Sequence, residues 1–318
     1  MKRWIVVGLA LFAGLAFGQS FPDRPLRIIV PLPPGGSPDT IARTLATHLQ
    51  TTWGQPIVVE NRTGGSQNIG ADAVAKSAPD GYTWLLSPDN VFVINPYIAK
   101  ATSFDPLTDL TPVTEVARIH FLLAVPTSLP VNSVRELIAY AKAHPGEIKY
   151  GSSGVGGTVH LAGELMQQLA GIEMVHVPYK GIALAMTAVL AGDIQITYAT
   201  PISAYQHLKN GRLIALAAAG PSRYPTLPDV PTAAEAGLPG YEIEFWYALL
   251  GPAGLPAPLV DRIQREVAAI VLAPDMKEQL LAQGCIAVGS KPAELSALIT
   301  REYEQWVKVV QARGVKVE

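Results

Sequence analysis

"LRIIVPLPPGGSPDTIARTLA", residues 26–46, joins an apolar β-rich run to a helical pattern through two prolines and two glycines. Ile41, Leu45 and Leu49 recur every four residues, so a helix over about residues 38–52 has one apolar face. Gly35 and Gly36 lack Cβ, so the backbone can turn sharply and a partner can approach it closely. Ser37 suits a helix N-cap and Pro38 the first helical position. The loop then offers free backbone N–H groups at the positive end of a helix, which is a place for an anion. Asp39 falls in the first turn, where a carboxylate is itself favoured. Plain turn chemistry is the competing reading of this loop taken alone.

Working outward, "PIVVEN" predicts a second strand, "NIGADAVAKSA" a helix and "YTWLLSP" a third strand, a βαβαβ run with a parallel sheet. "FLLAVPTS" begins a second series. Its helix "SVRELIAYAKAHPG" has Ser133 as cap, Glu136 at the capping-box position and Pro145-Gly146 as the stop. Strands follow at "IKYGSS", "EMVHVPY", "IQITYAT" and "LIALAAAG", with helices at "HLAGELMQQLAG" and "IALAMTAVLAG". After a proline-rich stretch, "EFWYALLGPAG" is one more strand, and the remainder is helical. The fold class is α/β: two lobes, each a mostly parallel sheet flanked by helices. Lobe one spans 19–120 plus 246–318 and lobe two spans 121–245, with hinge crossings near 118–121 and 244–247. A single large α/β domain is the alternative. Ligands of open α/β sheets bind beyond the carboxyl ends of the strands, which places the expected site in the cleft between lobes.

"YGSSGVGGTVHLAGE" repeats the strand, glycine turn and helix order in the second lobe. Thr158 can cap that helix, and Ser153, Gly156 and Gly157 present hydroxyl and backbone groups. Neither loop contains an arginine, and a carboxylate held between two helix N-termini needs none. No P-loop ending, dinucleotide fingerprint or nucleophile elbow is complete here. His160 and Glu164 lie four apart on one helix, but the six histidines are otherwise scattered, which argues against a metal. His160 reads as a pocket hydrogen-bonding residue. Ser87 and Asn90 follow a lobe-one strand; Tyr179 and Thr200 follow lobe-two strands.

The chain has 318 residues, 49% hydrophobic and 16% charged, with net charge −2, a balance with no basic excess for nucleic acid. Lys2 and Arg3 precede "WIVVGLALFAGLAF", which reads as a secretory signal over 1–18 cleaved near Gln19; a membrane anchor is the rival. Without Lys2 and Arg3, 22 basic side chains face 26 acidic ones, a net charge of −4. The single cysteine, Cys285, cannot form an internal disulfide and reads as a core residue.

Taken together, "FPDRPLRIIVPLPPGGSPDTIAR", "VVENRTGGSQNIGADAVAKSAPDGYTWLL", "SSGVGGTVHLAGEL", "VHVPYKG", "LPDVPTAAEAGLPGYE" and "FWYALLGPAGLPAPLVDRIQREV" run through the mature chain in order. In this the chain resembles the periplasmic receptors of tripartite tricarboxylate transporters, the TctC or Bug type. The resemblance implies a clamshell that closes on a small carboxylate and delivers it to integral-membrane transporter subunits. It implies contacts from Leu32, Pro34, Gly35, Gly36, Ser37, Ser87 and Asn90 in one lobe. In the other lobe it implies Ser153, Gly156, Gly157, Thr158, His160, Tyr179 and Thr200. It also implies a periplasmic monomer that is not an enzyme and holds no cofactor or metal. Leu32 stands where the family usually has phenylalanine, and Ala199 where many members carry aspartate or asparagine. These departures disfavour an amino acid and favour a dicarboxylate or aromatic acid. A hydrolase using Ser153 with His160, and a sensor feeding a signalling partner, remain open at this level.

Overall fold

The computed structural model describes residues 21–98 and 103–315. The expected signal segment and its cleavage point lie outside the described residues. The chain starts with β1 (Leu26–Val30), α1 (Ser37–Trp53), β2 (Ile57–Asn61), α2 (Asn68–Ala75) and β3 (Thr83–Pro88). Single-turn helices α3 (Asn90–Val93) and α4 (Asn95–Ile98) and the long strand β4 (Leu110–His120) follow. The second series is β5 (Leu122–Pro126), α5 (Val134–Ala143), β6 (Lys149–Ser152), α6 (Thr158–Ala170), β7 (Val175–Pro178), α7 (Ile182–Ala191), β8 (Ile196–Ala199), α8 (Pro201–Lys209) and β9 (Leu213–Ala218). The chain then returns through β10 (Glu244–Pro252), α9 (Ala257–Val271), α10 (Pro274–Ala282), β11 (Ile286–Ala287) and α11 (Pro292–Arg313).

These strands form two sheets, ordered β11-β4-β10-β3-β1-β2 and β7-β6-β8-β5-β9. The expectation of mostly parallel sheets is corrected to mixed ones. β1 pairs in parallel with β2 and β3, and β6 with β7 and β8. β10 runs antiparallel to both β3 and β4, and β5 antiparallel to β8 and β9. The reason is topological: β10 re-enters the first sheet from the second series, and β5 begins the second sheet and lies between the later strands β8 and β9, so neither arrives by a helical crossover.

β4 and α8 are elements the sequence patterns did not mark. Glu115 and Arg118 interrupt the apolar run of β4, yet the sheet buries Glu115 to 1% exposure. It does so because Arg118 donates from Nε and Nη2 to the Glu115 carboxylate at 2.6 and 2.5 Å, and from Nη1 to Glu244 of β10 at 3.3 Å. His120 Nε2 lies 2.8 Å from the same Glu244 carboxylate. This cluster sits on the two strands through which the chain passes between sheets. A buried ion pair is weak evidence for stability, but it fixes which residues face each other there.

Ile41, Leu45 and Leu49 of α1 meet Ile28, Val30 and Trp84 of the first sheet and Ile263 and Val267 of α9, in one buried cluster. A second cluster runs from Phe92 and Trp246 to Tyr150, Leu161 and Met166, so the core continues from one sheet to the other. Trp306, Leu295 and Leu298 of α11 belong to it. Phe92 and Trp246 stack at 5.9 Å, and Trp246 Nε1 donates to Glu302 of α11 at 2.8 Å. At α5 the Ser133 hydroxyl accepts from the Glu136 N–H at 3.1 Å, as expected. The Glu136 carboxylate takes the N–H of Asn132 at 2.7 Å.

α6 is fitted to the second sheet at Gly163, where a Cβ would fall 2.1–2.6 Å from carbons of the Tyr150 ring. Alanine replacing glycine in an open helix stabilises by about 0.5–1 kcal/mol. Here overpacking dominates, and Gly163→Ala is expected to lower the unfolding free energy by about 1–3 kcal/mol in urea denaturation. An increase would contradict this packing.

Candidate functional site

The parallel strands β1, β2 and β3 end at Val30, Asn61 and Pro88, and β6, β7 and β8 at Ser152, Pro178 and Ala199. The loops after β2, β3 and β6 line a cavity of about 390 Å³. The first sheet contributes Ser66, Gln67, Asn90 and Asn95; the second contributes Ser153, Gly154, Val155, Gly156, Gly157, Thr158 and Val159. Phe121 and Phe245, at the two passages between sheets, complete it. No charged side chain lines it among the described residues.

The second-sheet wall is the loop ahead of α6. Gly154 and Gly156 take φ of 141° and 79°, a region that side chains rarely enter, and this turns the chain back on itself. Gly157, not Thr158, holds the N-cap position, and no side chain caps the helix. The first-turn N–H groups of a 13-residue helix are thus left at the cavity with the helix dipole behind them. The loop is held from beneath. His160 Nδ1 accepts the Gly156 N–H at 3.0 Å, and the Ser152 hydroxyl accepts the Gly154 N–H at 3.1 Å. Burial lowers the pKa of His160, and an imidazole that accepts through Nδ1 is neutral.

Of the first-sheet wall, Asn90 was expected; the turn at residues 64–67 and Asn95 were not. Gly64, Gly65, Ser66 and Gln67 are four successive residues with positive φ, from 53° to 115°. Ser66 and Gln67 are the only non-glycine residues in that region among the described residues. Such a conformation costs about 1–3 kcal/mol for a residue with a side chain. Asn95 Nδ2 donates to the Ser66 carbonyl at 2.7 Å and to Asn68 Oδ1 at 3.1 Å, fixing the turn. Gln67 occupies the N-cap position of α2 without capping it by its side chain. Gln67 Oε1 and Asn90 Oδ1 are buried with no partner among the described residues. The "TGGSQN" stretch carries the same signal as the other two loops, glycines between a strand and a helix. Phe121 and Phe245 carried no local signal, since only the passage between sheets puts them together.

Of the expected residues, Asn90, Ser153, Gly156, Gly157 and Thr158 are brought to this cavity. Leu32, Pro34, Gly35, Gly36, Ser37, Ser87, His160, Tyr179 and Thr200 do not line it. In the first loop Gly36 is the N-cap and Ser37 the first helical residue. Asp39 Oδ2 accepts the Gly35 N–H at 3.0 Å, and Arg43 and Asn61 hold the same carboxylate. Hydrogen bonding from Arg43 keeps the Asp39 carboxyl below its usual range. The chain's own acid therefore occupies part of the anion place at α1. Leu32 is half-buried against the core, and Ser87 is fully buried with its hydroxyl donating to the Pro88 carbonyl. The Tyr179 N–H donates to the Ser152 carbonyl, and the Thr200 hydroxyl accepts from the Ser203 N–H as the cap of α8. Ala199 is wholly buried.

A larger depression of about 450 Å³ lies at the amino ends of β1 and β3. Arg24 is paired with Asp80 and Glu60 with Arg62, while Arg27 donates from Nε to the Thr83 hydroxyl at 2.9 Å. It is at the wrong end of the strands for a ligand of an open α/β sheet.

Residues 41–315 match the tripartite tricarboxylate transporter family receptor. The chain belongs to this family. Its members are periplasmic solute-binding receptors with the two-lobed fold. The receptor is 34% identical to the protein BugT of Bordetella pertussis over 99% of this chain and 97% of that one. It is 36% identical to Rpa4515 of R. palustris, solved with adipate, with TM-score 0.76 over 93% of this chain and 99% of that one. It is 29% identical to MatC (Rpa3494) of Rhodopseudomonas palustris, solved with bound malate, with TM-score 0.72 over 91% and 100% of the two chains. No helix among the described residues is long and apolar enough to cross a membrane.

Gln67 combines a left-handed backbone with an orphaned buried oxygen, which is a poor arrangement for stability alone. Gln67→Gly is expected to leave the unfolding free energy unchanged or raised by about 1 kcal/mol while weakening ligand binding. Lost stability with unchanged binding would show that Gln67 serves the fold and not the site.

Proposed function

We propose that this receptor captures a small organic dicarboxylate between its lobes and delivers it to a tripartite tricarboxylate-type membrane transporter. One observation carries the reading: the uncapped start of α6 opens on a cavity walled by loops of both sheets and lined, among the described residues, by no charged side chain. One carboxylate sits against the amides of Gly157, Thr158 and Val159. The other end of the ligand meets the amide groups of Gln67 and Asn90, and Phe121 and Phe245, whose rings are 6.5 Å apart, flank its carbon chain. Adipate and malate, the ligands of the two solved relatives, are both dicarboxylates of this kind.

The lobes are residues 19–120 with 246–318 and residues 121–245, hinged near 118–121 and 244–247. A ligand favours the closed arrangement only through contacts it makes with both lobes at once. Closure adds the Pro34–Ser37 loop, which neighbours the first-sheet wall: Asn61 at the end of β2 donates to the Leu32 carbonyl at 3.0 Å. Capture rather than catalysis is supported by His160, whose Nδ1 accepts from Gly156 and whose Nε2 faces Glu164 at 3.7 Å, leaving neither nitrogen for Ser153.

Thermal unfolding of the mature chain with adipate, malate, aspartate and benzoate tests this. A bound acid at about a hundred times its Kd adds about 2.7 kcal/mol of stability. A shift with the dicarboxylates, and the same acid recovered unchanged by mass spectrometry, is the expected result; no shift with any acid contradicts the reading. Gly36→Val separately examines the first loop. Its added Cβ meets only Pro38 Cδ, at 3.6 Å, so the variant folds, and loss of dicarboxylate binding is expected. Unchanged affinity removes that loop from the contact set.

A further inference from the structure

α11 packs against β4 and α3 of the first lobe and reaches α6 of the second. In its last turn Arg313 Nε donates to Glu164 Oε2 at 2.5 Å, and Arg313 Nη2 donates to Gln167 Oε1 at 3.0 Å. The Glu164 carboxylate also accepts from the Tyr150 hydroxyl at 2.7 Å and from Gln167 Nε2 at 3.0 Å. Its Oε1 lies 3.7 Å from His160 Nε2, on the side of the ring opposite the Gly156 N–H. The His160 ring stacks on His176 at 3.8 Å and 16°. His176 Nε2 is 2.6 Å from the Ser152 hydroxyl, which holds Gly154. Two stacked, mostly buried imidazoles thus fasten the two turning glycines of the ligand loop, and a guanidinium from the other lobe's last helix sits behind them.

We propose that Arg313 is a positioning residue for ligand binding: through Glu164 and the His160–His176 pair, the C-terminal helix sets the Gly154–Gly157 loop from outside the cavity. This deepens the binding function proposed above and rests on that loop being its ligand-gripping element. The loop needs His160 neutral, because an imidazolium has no acceptor for the Gly156 N–H. The groups facing His160 are Glu164 on its own helix, His176 on β7 and Tyr150 on β6; Arg313 of α11 reaches it through Glu164, and Tyr198 of β8 lies beyond Tyr150. Burial and the His160 neighbour both lower the pKa of His176, to about 4, and burial lowers that of His160 against the opposing pull of Glu164. Arg313 offsets that pull by neutralising Glu164. Removing the guanidinium strengthens the pull and raises the pH at which His160 takes a proton. Removing the carboxylate does the reverse.

The experiment is histidine-labelled nitrogen NMR of the mature chain, read for His160 alongside the Gly156 amide, with adipate titrations from pH 5 to 8.5. In the parent chain His160 is expected as the tautomer protonated at Nε2, with a protected Gly156 amide. In Arg313→Met the His160 midpoint moves to higher pH, and a midpoint raised by about one pH unit lowers adipate affinity about tenfold at the acid end. In Glu164→Gln the midpoint moves to lower pH, and Arg313→Lys restores part of the Arg313→Met change. A merely structural tie would move both variants the same way or neither. An unmoved midpoint in Arg313→Met, or a His160 protonated at Nδ1, overturns the proposal. The NMR arm needs no ligand, so a parent chain with the expected histidine pattern and no adipate binding counts against the dicarboxylate reading alone.

Discussion

The first turn of α6 leaves its amide N–H groups without a side-chain acceptor, and much of the molecule is arranged around that fact. A helix start that faces the protein interior normally finds an acceptor from its own chain. α5 finds one in Ser133 and α8 in Thr200, and at α1 Asp39 takes the loop N–H of Gly35; α6, like α2, α7, α9 and α10, has no side-chain cap. α6 has glycine at the cap and a cavity in front of it. Its neighbouring loop is nevertheless tightly held, by His160 and Ser152 from beneath. An anion that reaches the cavity meets donors already in place, so little ordering cost remains to be met on binding.

The opposite wall is built differently. The turn at Ser66 and Gln67 is held in a conformation unfavourable for residues with side chains, and the amide side chains of Gln67 and Asn90 keep oxygens buried without partners. Strain and unmet polar groups of this kind gather where a fold serves binding. Between the walls, the strands that carry the chain from one sheet to the other bury an acid–base cluster of Glu115, Arg118, Glu244 and His120. Its directional contacts define the register of β4 against β10 at the point where the chain passes between the two sheets. α11 adds a second tie, bridging from the first lobe to Glu164 and Gln167 of α6.

Much of this was legible in the sequence, because apolar periodicity and glycine punctuation report burial and turning directly. β1 to β3, α1, α5, α6 and the C-terminal helices fall where their patterns place them. β4 was hidden because Glu115 and Arg118 break its apolar run and are matched only in the fold, Glu115 by Arg118 and Arg118 also by Glu244, 126 residues away in sequence. α8 was hidden because it begins at Pro201, straight after the strand the pattern did mark, and presents Ile202 and Tyr205 to solvent. The caps were misplaced by one residue in both glycine loops for a single reason. Ser37 and Thr158 have the better cap chemistry, but Gly36 and Gly157 hold the cap position without a side-chain oxygen and leave the amides open. At the site, the Gly154–Thr158 wall was readable as a motif. The Ser66–Gln67 wall had the same motif but lacked a recognised cap, and the two phenylalanines meet only in three dimensions.

The central claim is that amides at the start of α6 and polar groups of the Ser66–Asn90 wall jointly hold one acid. A crystal structure of the receptor grown with adipate tests it most directly. The account predicts a carboxylate oxygen about 2.7–3.2 Å from the N–H of Thr158 or Val159, with the far end of the same molecule touching Gln67 or Asn90. Adipate seated instead in the depression beside Arg24 and Tyr82, or held by one lobe only with α6 facing solvent, would contradict it.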